Sequence, residues 1–302
     1  MMERGDVRGL SVAVVTPMTP GGAVNFPALQ DHVQWLLDGE VDVLMPCGTT
    51  GEGVTLDPQE HARVVATCVE TAGGRTRVFA GAGASRTETA KALARSAREA
   101  GADGLLTATP AYNKPSQEGL RRHFTEVAEA GGGLPLVLYN VPGRTAVNLL
   151  PDTAFRLAEE LEPVVAIKEA SGDMQQVMTI MRDRPDGFQV LAGDDFLTVP
   201  FLALGGDGVV SVAANEAPAD MRRMVWAALE GRFDEARELH ERLLPVMRAN
   251  FIETNPVPVK TALQMMGRME AHVRLPLAPL VPESERRLRE ALVSAGLIPG
   301  EG

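Results

Sequence analysis

Lysine is scarce in this chain. Only Lys91, Lys114, Lys168 and Lys260 occur among many arginines, so each can be read by its surroundings. Aromatic residues make up 4% of the sequence, with two tyrosines and two tryptophans, so the core has to be aliphatic. There are two cysteines, Cys47 and Cys68, and they form no metal-type spacing. One falls at a strand end and the other in a helix, which predicts reduced, buried thiols. Positive charge is outweighed: the formal net charge is −11, which argues against nucleic-acid or anionic-membrane partners. No apolar run approaches the roughly 18 residues a membrane helix needs. Met1 to Gly9 is charged, without the apolar segment of a signal peptide. A cytoplasmic protein is expected.

Absent motifs narrow the chemistry. None of the five histidines forms His-Glu-x-x-His, and no carboxylate–histidine cluster suggests a metal. Gly81-Ala82-Gly83-Ala84-Ser85-Arg86 lacks the third glycine of a dinucleotide fingerprint. Neither a metal nor a cofactor is expected. Cys47 has no histidine nearby in sequence and reads as small core filler rather than a nucleophile.

What is present is a strict alternation. Apolar strand candidates cover Ser11–Val15, Asp42–Pro46, Val78–Ala82, Gly104–Ala108, Leu134–Tyr139, Val164–Lys168, Gln189–Ala192 and Gly208–Val212. Helical patterns alternate with them: Phe26, Leu29, Val33, Leu36 and Leu37 share one face. Asp57-Pro58-Gln59-Glu60 and Ser85-Arg86-Thr87-Glu88 have the form of capping boxes. Eight such units predict a parallel sheet closed as a (β/α)8 TIM barrel over residues 1–231. Beyond about Arg232 only helices are expected, near 233–250, 259–267 and 283–295, forming a C-terminal helical domain over residues 232–302.

In a barrel the active site lies at the C-terminal strand ends. The polar residues there are Thr49 and Thr50, Tyr112, Tyr139 and Arg144, Lys168, and Gly193. Both tyrosines of the chain fall in this set. Val164-Val165-Ala166-Ile167 reads as a strand buried on both faces, and Lys168 ends it. An ammonium there is costly unless it is paired or loses its proton. Of the four lysines, only Lys168 reads as so placed. A neutral amine attacks carbonyl carbon to give a Schiff base. Each residue alone has a plainer reading: a snorkelling lysine, a tight turn, a helix cap, a solvated arginine. As a set they fit one chemistry. Lys168 attacks a 2-oxo acid, and Thr49 and Thr50 bind its carboxylate. Tyr139 moves protons as carbinolamine gives way to enamine, with Thr49 and Tyr112 relaying them to solvent.

Gly48-Thr49-Thr50-Gly51-Glu52, Thr109-Pro110-x-Tyr112-Asn113, Tyr139-Asn140-Val141-Pro142-Gly143-Arg144-Thr145, Ile167-Lys168-Glu169-Ala170 and Gly193-Asp194-Asp195 carry a resemblance. In order and interval they resemble the signatures of the dihydrodipicolinate synthase / N-acetylneuraminate lyase family, from about Gly9 to Leu297. The resemblance implies a barrel with a helical C-terminal domain, a class I pyruvate enzyme and a homotetramer built as a dimer of dimers. It implies that Tyr112 crosses the tight dimer interface to complete the partner's relay. Arg144 is then the residue that binds the carboxylate of aspartate semialdehyde, since an arginine fork suits a carboxylate. The Gly193 carbonyl faces that second substrate, and Val210 lines the pyruvate pocket. The implied reaction is condensation of pyruvate with L-aspartate 4-semialdehyde in lysine and diaminopimelate biosynthesis. The competing readings are a lyase for N-acetylneuraminate or 2-keto-3-deoxy sugar acids, and a catalytically silent barrel that binds a small acid.

Regulation is also implied. Members inhibited by lysine use an aromatic residue, two histidines, an asparagine and a glutamate at the tight dimer interface. The matching positions here are Ala111, Pro58, His61, Ser85 and, shifted by one, Glu88. Losing an aromatic wall, an imidazole and an amide removes partners that a charged effector needs as it leaves water. Weak or absent inhibition by L-lysine is expected.

Overall fold

The computed structural model describes residues 5–300. Eight parallel strands alternate with helices: β1 (Gly9–Ala13), α1 (Phe26–Asp38), β2 (Val43–Met45), α2 (Pro58–Ala72), β3 (Arg77–Gly81), α3 (Thr87–Glu99), β4 (Gly104–Ala108) and α4 (Gln117–Gly131). The series continues through β5 (Leu136–Asn140), a single turn α5 (Pro142–Thr145), α6 (Pro151–Glu160), β6 (Val164–Glu169) and α7 (Met174–Asp183). It closes with β7 (Gln189–Ala192), α8 (Thr198–Ala203), β8 (Gly208–Ser211) and α9 (Pro218–Leu229). Each strand pairs with the next and β8 pairs with β1, so the sheet is a closed barrel. Three helices follow: α10 (Phe233–Ala249), α11 (Val257–Met265) and α12 (Pro282–Ser294).

Period-two alternation sorts the strand residues. Val43, Met45, Val137, Tyr139, Ala166 and Val210 belong to a cluster in the lumen. Leu44, Leu138, Ile167 and Val209 face the helices and join the larger outer core. Val15, Val212, Val259 and Leu263 form a small apolar contact that seats α11 on the top of β1 and β8. No helix among the described residues is long and apolar enough to cross a membrane.

Two local expectations are corrected. The first strand runs Gly9–Ala13 rather than Ser11–Val15, because Gly9, at φ +101°, already pairs with Gly208. Asp57 and Glu60 do form a full capping box, but Ser85 and Glu88 do not. There the residue before the helix is Arg86, with no side-chain cap. Glu88 instead pairs with Lys91 at 3.0 Å. The short α5 carries no readable period and was not expected.

Candidate active site

Lys168 and Tyr139 meet because their strands are in register. β5 and β6 pair Tyr139 with Lys168, and both side chains point into the lumen. Lys168 is 5% exposed, and its Nζ lies 4.2 Å from the centre of the Tyr139 ring. The next residue on each strand points outward and locks the strand ends together. Glu169 accepts from Asn140 Nδ2 at 2.9 Å, from Gln176 Nε2 at 3.1 Å and from the Ser171 N–H at 2.7 Å. Asn140 Oδ1 accepts the Leu149 N–H at 2.9 Å. The amine is thereby held on a stiff support rather than on a loop.

Beyond β7 the chain passes close under β6. A Cβ on Gly193 would stand 2.4 Å from the Ala170 side chain and 2.9 Å from the Glu169 carbonyl, so only glycine fits. Its N–H donates to that carbonyl at 2.8 Å. Burial lifts the Asp194 carboxyl to about 6, a shift that the Lys168 charge opposes. Asp195 is also raised by burial, and accepts the Val212 and Ala213 N–H groups at 3.0 and 2.9 Å.

The turn after β2 carries the two threonines. It closes on itself through Glu52 N–H to Thr49 O and Gly53 N–H to Gly48 O, each 3.1 Å. Glu52 adopts the left-handed conformation, φ +53°, a costly choice for a residue with a Cβ. Lys260 of α11 holds it there, with Nζ 2.7 Å from Glu52 Oε1 and 2.9 Å from the Thr16 carbonyl. The Arg274 N–H donates to Glu52 Oε2 at 3.1 Å. Thr50 is buried, and its Oγ1 accepts from Asn255 Nδ2 at 3.0 Å.

The Lys260 pair overturns one expectation. Lys168 is not alone in being desolvated: Lys260 is 0% exposed, and burial pulls its pKa below the usual lysine range. Its ammonium is occupied by a carboxylate and a carbonyl, so it is a structural cation. A helix start after two prolines carries no sign of this, because Glu52 lies 208 residues away.

A cavity of about 320 Å³ opens above these residues, with Thr49, Tyr139, Arg144, Cys47, Asn255 and Leu277 among its walls. Lys168 is reached through Tyr139, and Val210 shares the lumen cluster with Tyr139. Arg144 is exposed on α5, and its Nη2 donates to the Asn255 carbonyl at 3.3 Å. Tyr112 stands apart. It is 91% exposed at φ +77°, with its N–H on the Thr145 carbonyl at 3.3 Å. Both cysteines are free and buried, and burial raises both thiols, Cys68 to about 12. Among the described residues no group of three or more histidines, cysteines and carboxylates could hold a metal. Asn255 and Lys260 are the site residues that sequence reasoning missed. Thr254-Asn255-Pro256 announces only a turn.

A closed barrel with a buried lysine amine beside a phenol at the C-terminal strand ends defines the class, a barrel enzyme of lyase type. The chain belongs to the dihydrodipicolinate synthetase family, which it matches over residues 6–295. It is 47% identical over 292 residues to a 4-hydroxy-tetrahydrodipicolinate synthase of Chlorobium limicola, covering 97% of this chain and 98% of that one. It is 50% identical over 288 residues to the enzyme of that name from Thermomicrobium roseum, covering 95% and 94%. The crystal structure of dihydrodipicolinate synthase from Aquifex aeolicus superimposes with a TM-score of 0.93 at 44% identity, covering 96% of this chain and 98% of that one.

Proposed function

We propose that this chain condenses pyruvate with L-aspartate 4-semialdehyde, through an imine on Lys168, to give 4-hydroxy-tetrahydrodipicolinate for lysine and diaminopimelate biosynthesis. The observation that carries this reading is the register of β5 and β6, which sets Lys168 Nζ over the Tyr139 ring at the C-terminal end of a barrel of this family.

Lys168 Nζ adds to C2 of pyruvate, and the carbinolamine loses water to give the imine. Tyr139, the nearest phenol, takes and returns the protons of those steps and of enamine formation. Thr49 and Thr50 hold the pyruvate carboxylate, and Val210 closes the lumen beneath it. The enamine carbon then attacks the aldehyde of the second substrate, whose carboxylate pairs with Arg144 at the mouth while the Gly193 carbonyl faces it. Tyr112, exposed on a protruding turn, suits insertion into a second copy, where with Thr49 it completes the proton relay. A cytoplasmic homotetramer, a dimer of dimers, follows from this reading, with residues 232–302 as a helical domain on the catalytic barrel.

Pyruvate and borohydride test the nucleophile. One reduced adduct on Lys168 is expected, and Lys168→Ala is expected to abolish it while the fold survives. An adduct on Lys114 or Lys260 would defeat the mechanism. Turnover of pyruvate with aspartate semialdehyde, set against cleavage of sialic or keto-deoxy acids, tests the substrate pair.

A further inference from the structure

Asn255 touches both halves of the site. It lies between α10 and α11, is 4% exposed, and forms part of the cavity wall. Its Nδ2 donates to Thr50 Oγ1 at 3.0 Å, and its backbone carbonyl accepts from Arg144 Nη2 at 3.3 Å. The remaining atom, Oδ1, is buried with no hydrogen-bond partner among the described residues. A buried acceptor without a donor is costly, and in a substrate cavity it calls for a donor on the ligand.

We infer that Asn255 is a specificity-determining residue whose Oδ1 accepts an N–H from the α-ammonium group of the second substrate. This rests on the substrate pair proposed above. Ionised pyruvate has no N–H or O–H group, and aspartate semialdehyde in its aldehyde form has only its ammonium. The acceptor therefore has one match. The ammonium and the α-carboxylate share a carbon, so a carboxylate on Arg144 brings the ammonium near the residue whose carbonyl Arg144 already holds.

The chemistry of the product asks for the same placement. Ring closure forms a bond from the α-amine nitrogen to C2 of the former pyruvate and breaks the C2–Nζ bond. The α-ammonium first gives one proton to solvent. Once attached, the nitrogen passes a second proton to Nζ, and Lys168 leaves as the neutral amine. The amine must therefore travel from the Arg144 side to the carbon beside the carboxylate held by Thr50. Asn255 contacts both ends of that path. Its Nδ2 also occupies the Thr50 oxygen, which leaves the Thr50 O–H free to donate to that carboxylate.

The test compares two ligands that differ only in the ammonium. With pyruvate saturating, kcat/KM is measured for aspartate semialdehyde, and Ki for succinic semialdehyde, which keeps the aldehyde and carboxylate. Asn255→Ala is expected to weaken use of the amino-bearing substrate by about tenfold to a hundredfold more than binding of the analogue, the range for a lost hydrogen bond to a charged group. Asn255→Asp keeps an acceptor. It should retain the preference for the ammonium while raising KM for pyruvate, because Thr50 loses its donor. Equal losses for both ligands in Asn255→Ala would overturn the inference and leave Asn255 as a brace for Thr50 and Arg144. Should Asn255→Ala not fold, a lost preference in Asn255→Asp would overturn it equally. A wild-type enzyme that does not turn over aspartate semialdehyde would instead sink the substrate pair.

Discussion

Arg144 is exposed on the single turn α5, yet it is not a free surface arginine. One arm of its fork rests on the Asn255 carbonyl at 3.3 Å, and the cavity lies beside it. A guanidinium so placed suits a carboxylate arriving from solvent, since both partners stay partly hydrated until they meet. Arg144→Ala is expected to raise KM for aspartate semialdehyde far more than for pyruvate, lowering kcat/KM by about tenfold to a hundredfold. Equal effects on both substrates, in steady-state kinetics, would assign Arg144 to shaping the cavity instead. The identity of Arg144 as a candidate is readable from its motif. Its tether is not, because Asn255 is 111 residues further on.

Among the elements, the turn Gly48–Gly53 and the segment from Asn255 to Arg274 act as one piece. The turn is bent through a left-handed glutamate, and the C-terminal segment holds it by three polar anchors. They are Asn255 on Thr50, Lys260 on Glu52, and Arg274 on Glu60 and the Thr55 carbonyl. Removing one partner of a buried ion pair leaves the other charge uncompensated, at a cost of about 3–5 kcal/mol. Lys260→Met should lose about that much stability in urea unfolding and raise KM for pyruvate, because the threonines lose their support. Adding Glu52→Gln keeps an acceptor for the Arg274 N–H and should recover most of the stability. A double variant no more stable than the single one would mean that packing around the lysine stem, not charge, holds the turn. Strand boundaries moved by about two residues for a related reason: closure of the barrel, not local apolar content, decides where pairing begins.

For the whole molecule, the question is whether a second copy and an amino-acid effector meet near Tyr112. The positions that would greet lysine are not prepared for it. His61 Nε2 is bonded to the Gly81 carbonyl at 2.7 Å, and burial lowers its pKa, so it is an uncharged structural group. Glu88 is paired with Lys91. Ala111 and Ser85 are small side chains on the cavity wall. An effector with an ammonium and a carboxylate would enter with few partners for either charge. The forward reaction, assayed from micromolar to tens of millimolar L-lysine, should show little or no inhibition. Half-maximal inhibition below about 1 mM, a binding free energy of about −4 kcal/mol, would mean other residues rebuild the pocket.

Local chemistry is enough to dictate much of this protein. Alternating apolar strands and amphipathic helices imply a closed barrel, since each element's buried face demands a neighbour. Lys168, Tyr139, the threonine turn and Arg144 stand out because chemistry-bearing types recur at the ends of those strands. Tertiary structure alone decided three things. It chose Lys260 as the second buried lysine, because burial depends on a carboxylate 208 residues away. It brought Asn255 between Thr50 and Arg144, because a turn after a helix carries no record of where that helix docks. It left Glu88 to Lys91 and out of a capping box, because a nearby ion pair competed for the same carboxylate. Propensity and period act over a few residues. Pairing of distant polar groups is set only when the barrel closes and the last helices pack across its top.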